Sequence, residues 1–396
     1  MKKQMPLTAI ARAVGPLVLS LMSSFSLATT SPAADAPPRI AAAVDSAFRP
    51  LLQAHDVPGM AVAVTIDGKQ YFFNYGVASK ESNAPVTKET LFEIGSISKT
   101  FTATLASWAQ ALGKLSLDDH PAKYMTQLRG SAIDRASLLN LATFSAGGLP
   151  LHFPSAVTND AAMVTFFRDW KPSAAPGTLR RYSNPSIGLF GRVTALAMDR
   201  KFVDLMEGEL LPKLGLGRSF IRIPKGEMDR FAWGYKAGKA TRGMPAVFDE
   251  EAYGIKSSAA DMIRFVEANI RPEVLEPQLK RAIETTHVGY FRTGEMVQGL
   301  GWELYPYPTA LKQMLAGNSE EIVMKPNPTT QLTPPLVPSQ PTLFNKTGST
   351  NGFGAYAVFV PAKRIGLVML ANRNFPVPVR LAAAHAVLEQ LAAEVK

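Results

Sequence analysis

The two ends of this chain mirror each other, and that limits how it can fold. Residues 40–54 carry Ile40, Val44, Phe48 and Leu51 at helical spacing. The stretch "MAVAVTIDGKQYFFNYGVAS" then reads as a hairpin: Met60, Val62, Val64 and Ile66 alternate with small residues, and Asp67-Gly68 supplies the tight turn. Near the other end, "AYAVFV" and "IGLVML" read as two strands joined by "PAKR". A last helix follows, with Leu381, Ala384, Leu388 and Leu391 on one face. A helix and hairpin at the start, matched by a hairpin and helix at the end, bury their apolar faces most simply in one antiparallel sheet with both terminal helices on it. The expectation is an α/β (α+β) chain, its sheet-bearing lobe drawn from about residues 36–91 and 318–396. The middle, about 92–317, is richer in helical periodicity and predicts a mainly helical lobe. No internal repeat is present.

The first 28 residues differ from the rest. Lys2, Lys3 and Arg12 are basic, no acid occurs before Asp35, and an apolar run extends from Ala13 to Leu27. "SFSLA" places Ser26 and Ala28 at the small positions of a cleavage site, so 1–28 reads as a signal peptide and 29–396 as the single mature catalytic domain. A membrane anchor is the alternative, but the run falls short of ~20 clean apolar residues. No later apolar stretch escapes charge or proline for long enough to span a bilayer. Export to the periplasm as a protein free of the membrane is the expectation.

Several chemistries are excluded. With no cysteine, the chain can form neither disulfides nor thiolate metal sites. The formal charge is +10, and losing three basic residues and no acid with the leader takes it to +7. The remaining Lys and Arg are scattered, which gives no support for nucleic-acid binding, while a mild positive field favours small anionic substrates. His55, His120, His287 and His385 lack metal-ligand spacing, and neither a metal nor a cofactor is expected. Two stretches read as long loops, 235–254 and 325–342, the second with six prolines. Each is either the rim of a site or a plain connector.

The chemistry concentrates in "EIGSISKTFT", residues 93–102. Ile97, Phe101, Leu105, Trp108 and Leu112 predict a helix that stops at Gly113. Residues three apart on a helix are neighbours, so Ser96 faces Lys99, whereas Ser98 faces Phe101 and Thr102, neither of which takes a proton. Ser96 also lies at the helix start, after a glycine that would let a substrate approach, where backbone N–H groups favour developing negative charge. A serine hydroxyl needs a base, and Lys99 serves only if burial and a nearby cation lower its pKa. Ser-x-x-K alone arises by chance about once in a chain this long. Two further triplets change the odds. "RRYSNPS" sets Tyr182, Ser183 and Asn184 before a proline and a helix, and "FNKTGSTNGFGAY" sets Lys346, Thr347 and Gly348 before a strand. This order is that of penicillin-recognising acyl-transfer enzymes. Tyr182 offers a second titratable group for protonating a leaving nitrogen, and Asn184 an amide for an acylamino side chain. Lys346 offers a positive charge that lowers the pKa of Tyr182 and Lys99. Thr347 and Gly348 offer a strand edge for an extended substrate. The backbone N–H of Ser349 is placed to complete an oxyanion hole with that of Ser96.

With these motifs, and with "LATFSAGGLPL", "PGTLRRYSNPSIGLFG", "AYGIKSSAADMIRFV" and "VMLANRNFP" in order, the sequence resembles the class C serine β-lactamases (AmpC-type cephalosporinases) from end to end. The resemblance implies the β-lactamase/transpeptidase-like fold with the site between the lobes. It further implies a β-lactam substrate, with cephalosporins preferred, and a monomer. It also implies that Ser96 is acylated, that Lys99 and Tyr182 form the acid–base system beside Lys346, and that Asn374 and Arg380 help hold the substrate carboxylate. Tyr253 matches an aromatic that rims the acyl side-chain pocket. No deacylating glutamate is present by motif: in "ASLLN", Ala136 stands where a carboxylate would be needed. Tyr182 is therefore the expected activator of the hydrolytic water. The sequence departs from the family at His152, where glutamine is usual. This is either a tolerated swap at the pocket edge or the source of a shifted or pH-dependent substrate profile. Val377 stands where some relatives carry asparagine. The other readings are a penicillin-binding D,D-peptidase or esterase using the same groups, and a non-catalytic sensor domain, which would be expected to lose Ser, Lys or Tyr.

Overall fold

The computed structural model describes Met1 and residues 36–392, so the expected leader lies outside the described residues. The helices Pro38–Ala54 and Val377–Ala392 and the strands Gly59–Ile66, Lys69–Gly76, Gly354–Val360 and Ile365–Ala371 form where the sequence predicts them. The two ends meet in one sheet, with Gly59–Ile66 paired antiparallel to Ile365–Ala371 and Met60 opposite Ala371. Alternation along the first strand separates its faces. Met60, Val62 and Val64 pack under the terminal helices with Phe48, Leu381 and Leu388. Ala61 and Ala63 face helix Ala259–Ile270 with Met262, Ile263 and Val266. The small side chains let that helix lie close to the sheet.

The sheet is larger than its ends alone. It has nine strands in the order Thr330–Leu336, Gly289–Thr293, Met296–Gln298, Glu303–Pro306, Thr342–Ser349, Gly354–Val360, Ile365–Ala371, Gly59–Ile66, Lys69–Gly76. Three of these, between 289 and 306, come from the stretch read as helical lobe. The proline-rich stretch 325–342 also differs from its reading as a loop, because Thr330–Leu336 pairs with Gly289–Thr293 through a register shift. Pro334 and Pro335 fit there because the strand is an edge, where missing N–H donors leave no ladder bond unmade. The stretch 235–254 likewise holds a short hairpin, Gly234–Lys236 with Lys239–Thr241, and a helical turn, Asp249–Ala252.

Between sheet and helical lobe runs helix Ser98–Ala111. Phe101, Leu105 and Trp108 belong to the core against the sheet, where Phe101 stacks on Phe265 at 4.0 Å. Ala103, Ala106 and Ala109 belong to the core of the helical lobe with Leu138, Ile187 and Phe190. Enclosed on both sides, the helix buries its polar residues as well, and Thr100, Thr102 and Thr104 donate their hydroxyls to backbone carbonyls. From Leu91 to Ala109 every residue is buried except Ser96. Among the described residues, no helix is long and apolar enough to cross a membrane.

Candidate active site

Three segments build the site. The first is a 3₁₀ turn, Gly95–Ile97, that leads into helix Ser98–Ala111. It leaves Ser96 half-exposed and Lys99 wholly buried. Lys99 Nζ lies 3.0 Å from Ser96 Oγ and donates to the Ala252 carbonyl at 2.8 Å. The rival serine is occupied: Ser98 Oγ is buried and accepts the Ile255 N–H at 3.1 Å. Thr102 Oγ1 donates to Glu251 O at 2.6 Å. One helix face thus grips the backbone of 251–255 and sets half-buried Tyr253 beside the Lys99 contact.

The second segment precedes helix Asn184–Ala197. Ser183 caps that helix by accepting the Ser186 N–H at 3.1 Å, and Pro185 suits its first turn. The cap fixes the extended residues before it, so Tyr182 points into the site. The third segment is strand Thr342–Ser349. Its neighbour Glu303–Pro306 pairs only with Thr342 to Asn345, while on the other side Phe344 to Ser349 pair with Gly354–Val360. The free edge from Lys346 to Ser349 receives the Ser96 turn. Two glycines make this contact possible. A Cβ on Gly348 would collide with the Ile94 carbonyl, and one on Gly95 (φ +52°) would lie 2.6 Å from the Ser349 nitrogen. Gly95 therefore makes room for the strand backbone, not for substrate as its position in the sequence suggested.

Tyr182 lies between two lysines, with Lys99 Nζ 5.1 Å and Lys346 Nζ 5.2 Å from its ring centre. Burial drives Lys99 down to about 8; the Tyr182 charge opposes this and the Lys346 charge adds to it. Burial also works to raise Tyr182, but the Lys346 and Lys99 charges and the nearby Ser96 hydroxyl outweigh it and bring the phenol below its ordinary value. By strict geometry the Tyr182 hydroxyl has no partner among the described residues; it is held by the field of these neighbours. For Lys346 burial acts downward, yet the Glu303 carboxylate, in contact at 3.2 Å, and Tyr182 raise it above its ordinary value. The set can therefore hold a neutral amine at Ser96 and a permanent cation on the far side of the phenol.

The flanking groups join the same network. Asn184 Nδ2 donates to His152 Nδ1 at 3.1 Å, which leaves the imidazole neutral with its proton on Nε2. Burial and the Lys99 charge lower His152 further. Thr347 is half-exposed and Ser349 exposed at the strand edge. Arg380 is wholly buried. Its Nη1 donates to Gly348 O at 2.8 Å and to Ser349 Oγ at 3.1 Å, and its Nη2 donates to Asn374 Oδ1 and Phe375 O. It offers no solvent-facing N–H, so any part it has in anion recognition passes through Ser349 and exposed Asn374. Sequence reasoning missed Glu303 and Arg180. A single acid in the apolar run "GLGWELYP" was the signal for Glu303. Ala136, in the motif that lacks a glutamate, is buried just before a capped helical turn and brings no carboxylate. No cluster among the described residues could hold a metal.

The family model "Beta-lactamase" matches residues 44–392. The chain is 52% identical to a β-lactamase of Pseudomonas fluorescens over 349 residues, covering 88% of this chain and 98% of that one. It is 40% identical to the β-lactamase of Escherichia coli K12 over 357 residues, 90% and 95% of the two chains. A class C β-lactamase solved in complex with cefoxitin superposes with a TM-score of 0.86 at 44% identity, over 89% of this chain and 98% of that one. A D-alanine carboxypeptidase AmpC from Burkholderia cenocepacia superposes with a TM-score of 0.85 at 46% identity, over 88% and 98%. With a fold and a sequence shared over nearly the whole length of these proteins, the chain belongs to the β-lactamase family and is a class C serine β-lactamase.

Proposed function

We propose that Ser96 is the nucleophile, that Lys99 and Tyr182 carry its protons, and that cephalosporins are the preferred substrates in the periplasm. The observation that carries this reading is the 3.0 Å contact between Lys99 Nζ and Ser96 Oγ, in a site where Ser98 is buried and engaged. Neutral Lys99 accepts the Ser96 proton as Oγ adds to the β-lactam carbonyl. The N–H groups of Ser96 and Ser349 hold the oxyanion. Collapse breaks the amide bond, and the proton passes through Tyr182 to the departing nitrogen. A water then attacks the acyl-enzyme while Tyr182, its pKa lowered by Lys346 and Lys99, takes its proton; the ester C–O bond breaks, and that proton returns through Tyr182 and Lys99 to Ser96 Oγ. Asn184 and His152 receive the acylamino group beside Tyr253, and Thr347, Ser349 and Asn374 receive the carboxylate, with Arg380 fixing the last two.

The class C neighbour holding cefoxitin supports the cephalosporin preference. The carboxypeptidase name of another neighbour supports a second reading, a D,D-peptidase that uses the same groups. A chromogenic cephalosporin separates the two. Continuous turnover by the mature enzyme, lost in Ser96→Ala, is expected; one equivalent of product followed by arrest would favour the peptidase.

A further inference from the structure

The site contains more buried charge than the proton transfers use. Arg180 stands two residues before Tyr182 in an extended segment, so both side chains project to the same side. Its guanidinium is buried, 5.8 Å from the Tyr182 ring centre and 5.5 Å from that of Phe144. Nε and Nη2 both donate to Gln298 Oε1, at 3.1 and 3.0 Å, and Nη1 donates to Ile322 O at 3.0 Å. Gln298 is itself held by donating to Gly299 O and Trp302 O, in the turn that ends at Glu303. Neither direct partner of Arg180 carries a charge. Among the described residues, the one carboxylate acting on it is Glu303, which also pairs with Lys346. Glu303 Oε2 is buried without a hydrogen-bond partner among the described residues.

We propose that Arg180 and Glu303 are positioning residues for proton transfer: one buried carboxylate, shared by Lys346 and Arg180, balances the cations around the Tyr182 phenol. Desolvated cations of like sign repel, and removing the shared anion would leave them uncompensated. The two residues act on the Lys99–Tyr182 pair with opposite sign. Loss of an anion lowers the pKa of a lysine and of a phenol alike, and loss of a cation raises both. The predicted direction therefore does not depend on which of the pair holds the proton. The remaining groups facing the pair, Ser96, His152 and, across Arg180, Tyr305, are unchanged in either variant.

The inference rests on Tyr182 and Lys99 being the acid–base system. The experiment is the pH profile of kcat and kcat/KM for cephalosporin hydrolysis in Glu303→Gln, Arg180→Gln and Arg180→Lys, with Tyr182→Phe alongside and a melting curve for each. Glu303→Gln keeps the shape and removes the charge. Its acid limb moves to lower pH, so activity at the acid end rises several-fold relative to its own maximum, and an alkaline limb appears as Lys346 loses its proton. Arg180→Gln moves the acid limb to higher pH, and Arg180→Lys restores it. A purely structural role would lower kcat or the melting temperature with every limb in place, and that result overturns the inference. If Arg180→Gln does not fold, the isosteric Glu303→Gln decides alone. If Tyr182→Phe retains both rate and profile, the proton-transfer reading fails and the inference with it. If Tyr182→Phe loses activity while the other limbs stay fixed, the inference alone fails.

Discussion

Lys99 and Lys346 are chemically identical and equally hidden from water, at 0 and 3% exposure, yet the protein drives them in opposite directions. Lys99, on its helix, meets a hydroxyl, a carbonyl and a phenol. With no carboxylate in contact among the described residues, desolvation wins and the amine falls to about 8. Lys346, on its strand, meets Glu303, and that carboxylate reverses the effect of burial. Burial alone does not set the charge of a buried lysine; the nearest counter-ion does. The phenol between them is exposed to both outcomes, a base on one side and a fixed cation on the other.

This contrast can be broken from either side, starting where the effect is largest. Ser96→Ala removes the bond-forming atom and should cut turnover by about 10⁴-fold or more, with substrate still retained on a binding column. Ser98→Ala should stay near the wild-type rate, because Ser98 only supports the backbone of Ile255. Equal losses in the two would dissolve the assignment of Lys99 to Ser96. Lys99→Arg keeps a cation but can never become neutral, so acylation followed by stopped flow should fall about 10²- to 10⁴-fold. Lys346→Met should instead move the acid limb of the profile to higher pH, since the phenol loses the cation that holds it down.

A mutation that leaves the chemistry in place sharpens the same contrast. Gly348→Ala drives a methyl group into the Ile94 carbonyl and pushes the Lys346 strand away from the Ser96 turn. A misplacement of about 1 Å costs up to about 10²-fold, so kcat should fall, and because the clash is with backbone the melting temperature should fall with it. His152→Gln should do least. The imidazole is already neutral and accepts from Asn184, as a glutamine carbonyl would. Profiles of kcat/KM that superimpose from pH 6.5 to 8 are expected. A charge-dependent divergence in that range would restore His152 as a pH-sensitive specificity element.

The parts of the site that were legible in the sequence share a property. Ser96 and Lys99 are linked by helix geometry, and the two ends of the sheet by alternation, so local spacing carried the information. The parts that were not legible depend on distant pairing. Glu303 reaches Lys346 because their strands are sheet neighbours, and nothing in the spacing of residues 303 and 346 says so. Arg380 looked available to a carboxylate, but its helix turns it inward beneath Gly348. The strand Thr330–Leu336 was hidden by its own prolines, which are tolerated because, among the described residues, no strand lies beyond it. Gly95 reads in sequence as room for a substrate, but what approaches it is the backbone of Ser349.

The charge difference between the two lysines is most directly measured by carbon NMR of lysine-labelled mature enzyme, with the resonances assigned through Lys99→Arg and Lys346→Arg. The Cε and Cδ signals of Lys99 should titrate near pH 8, while those of Lys346 stay in the charged position at least to its ordinary value of 10.5. Two lysines titrating together near 10.5, or a Lys99 still charged at pH 9.5, would contradict the account.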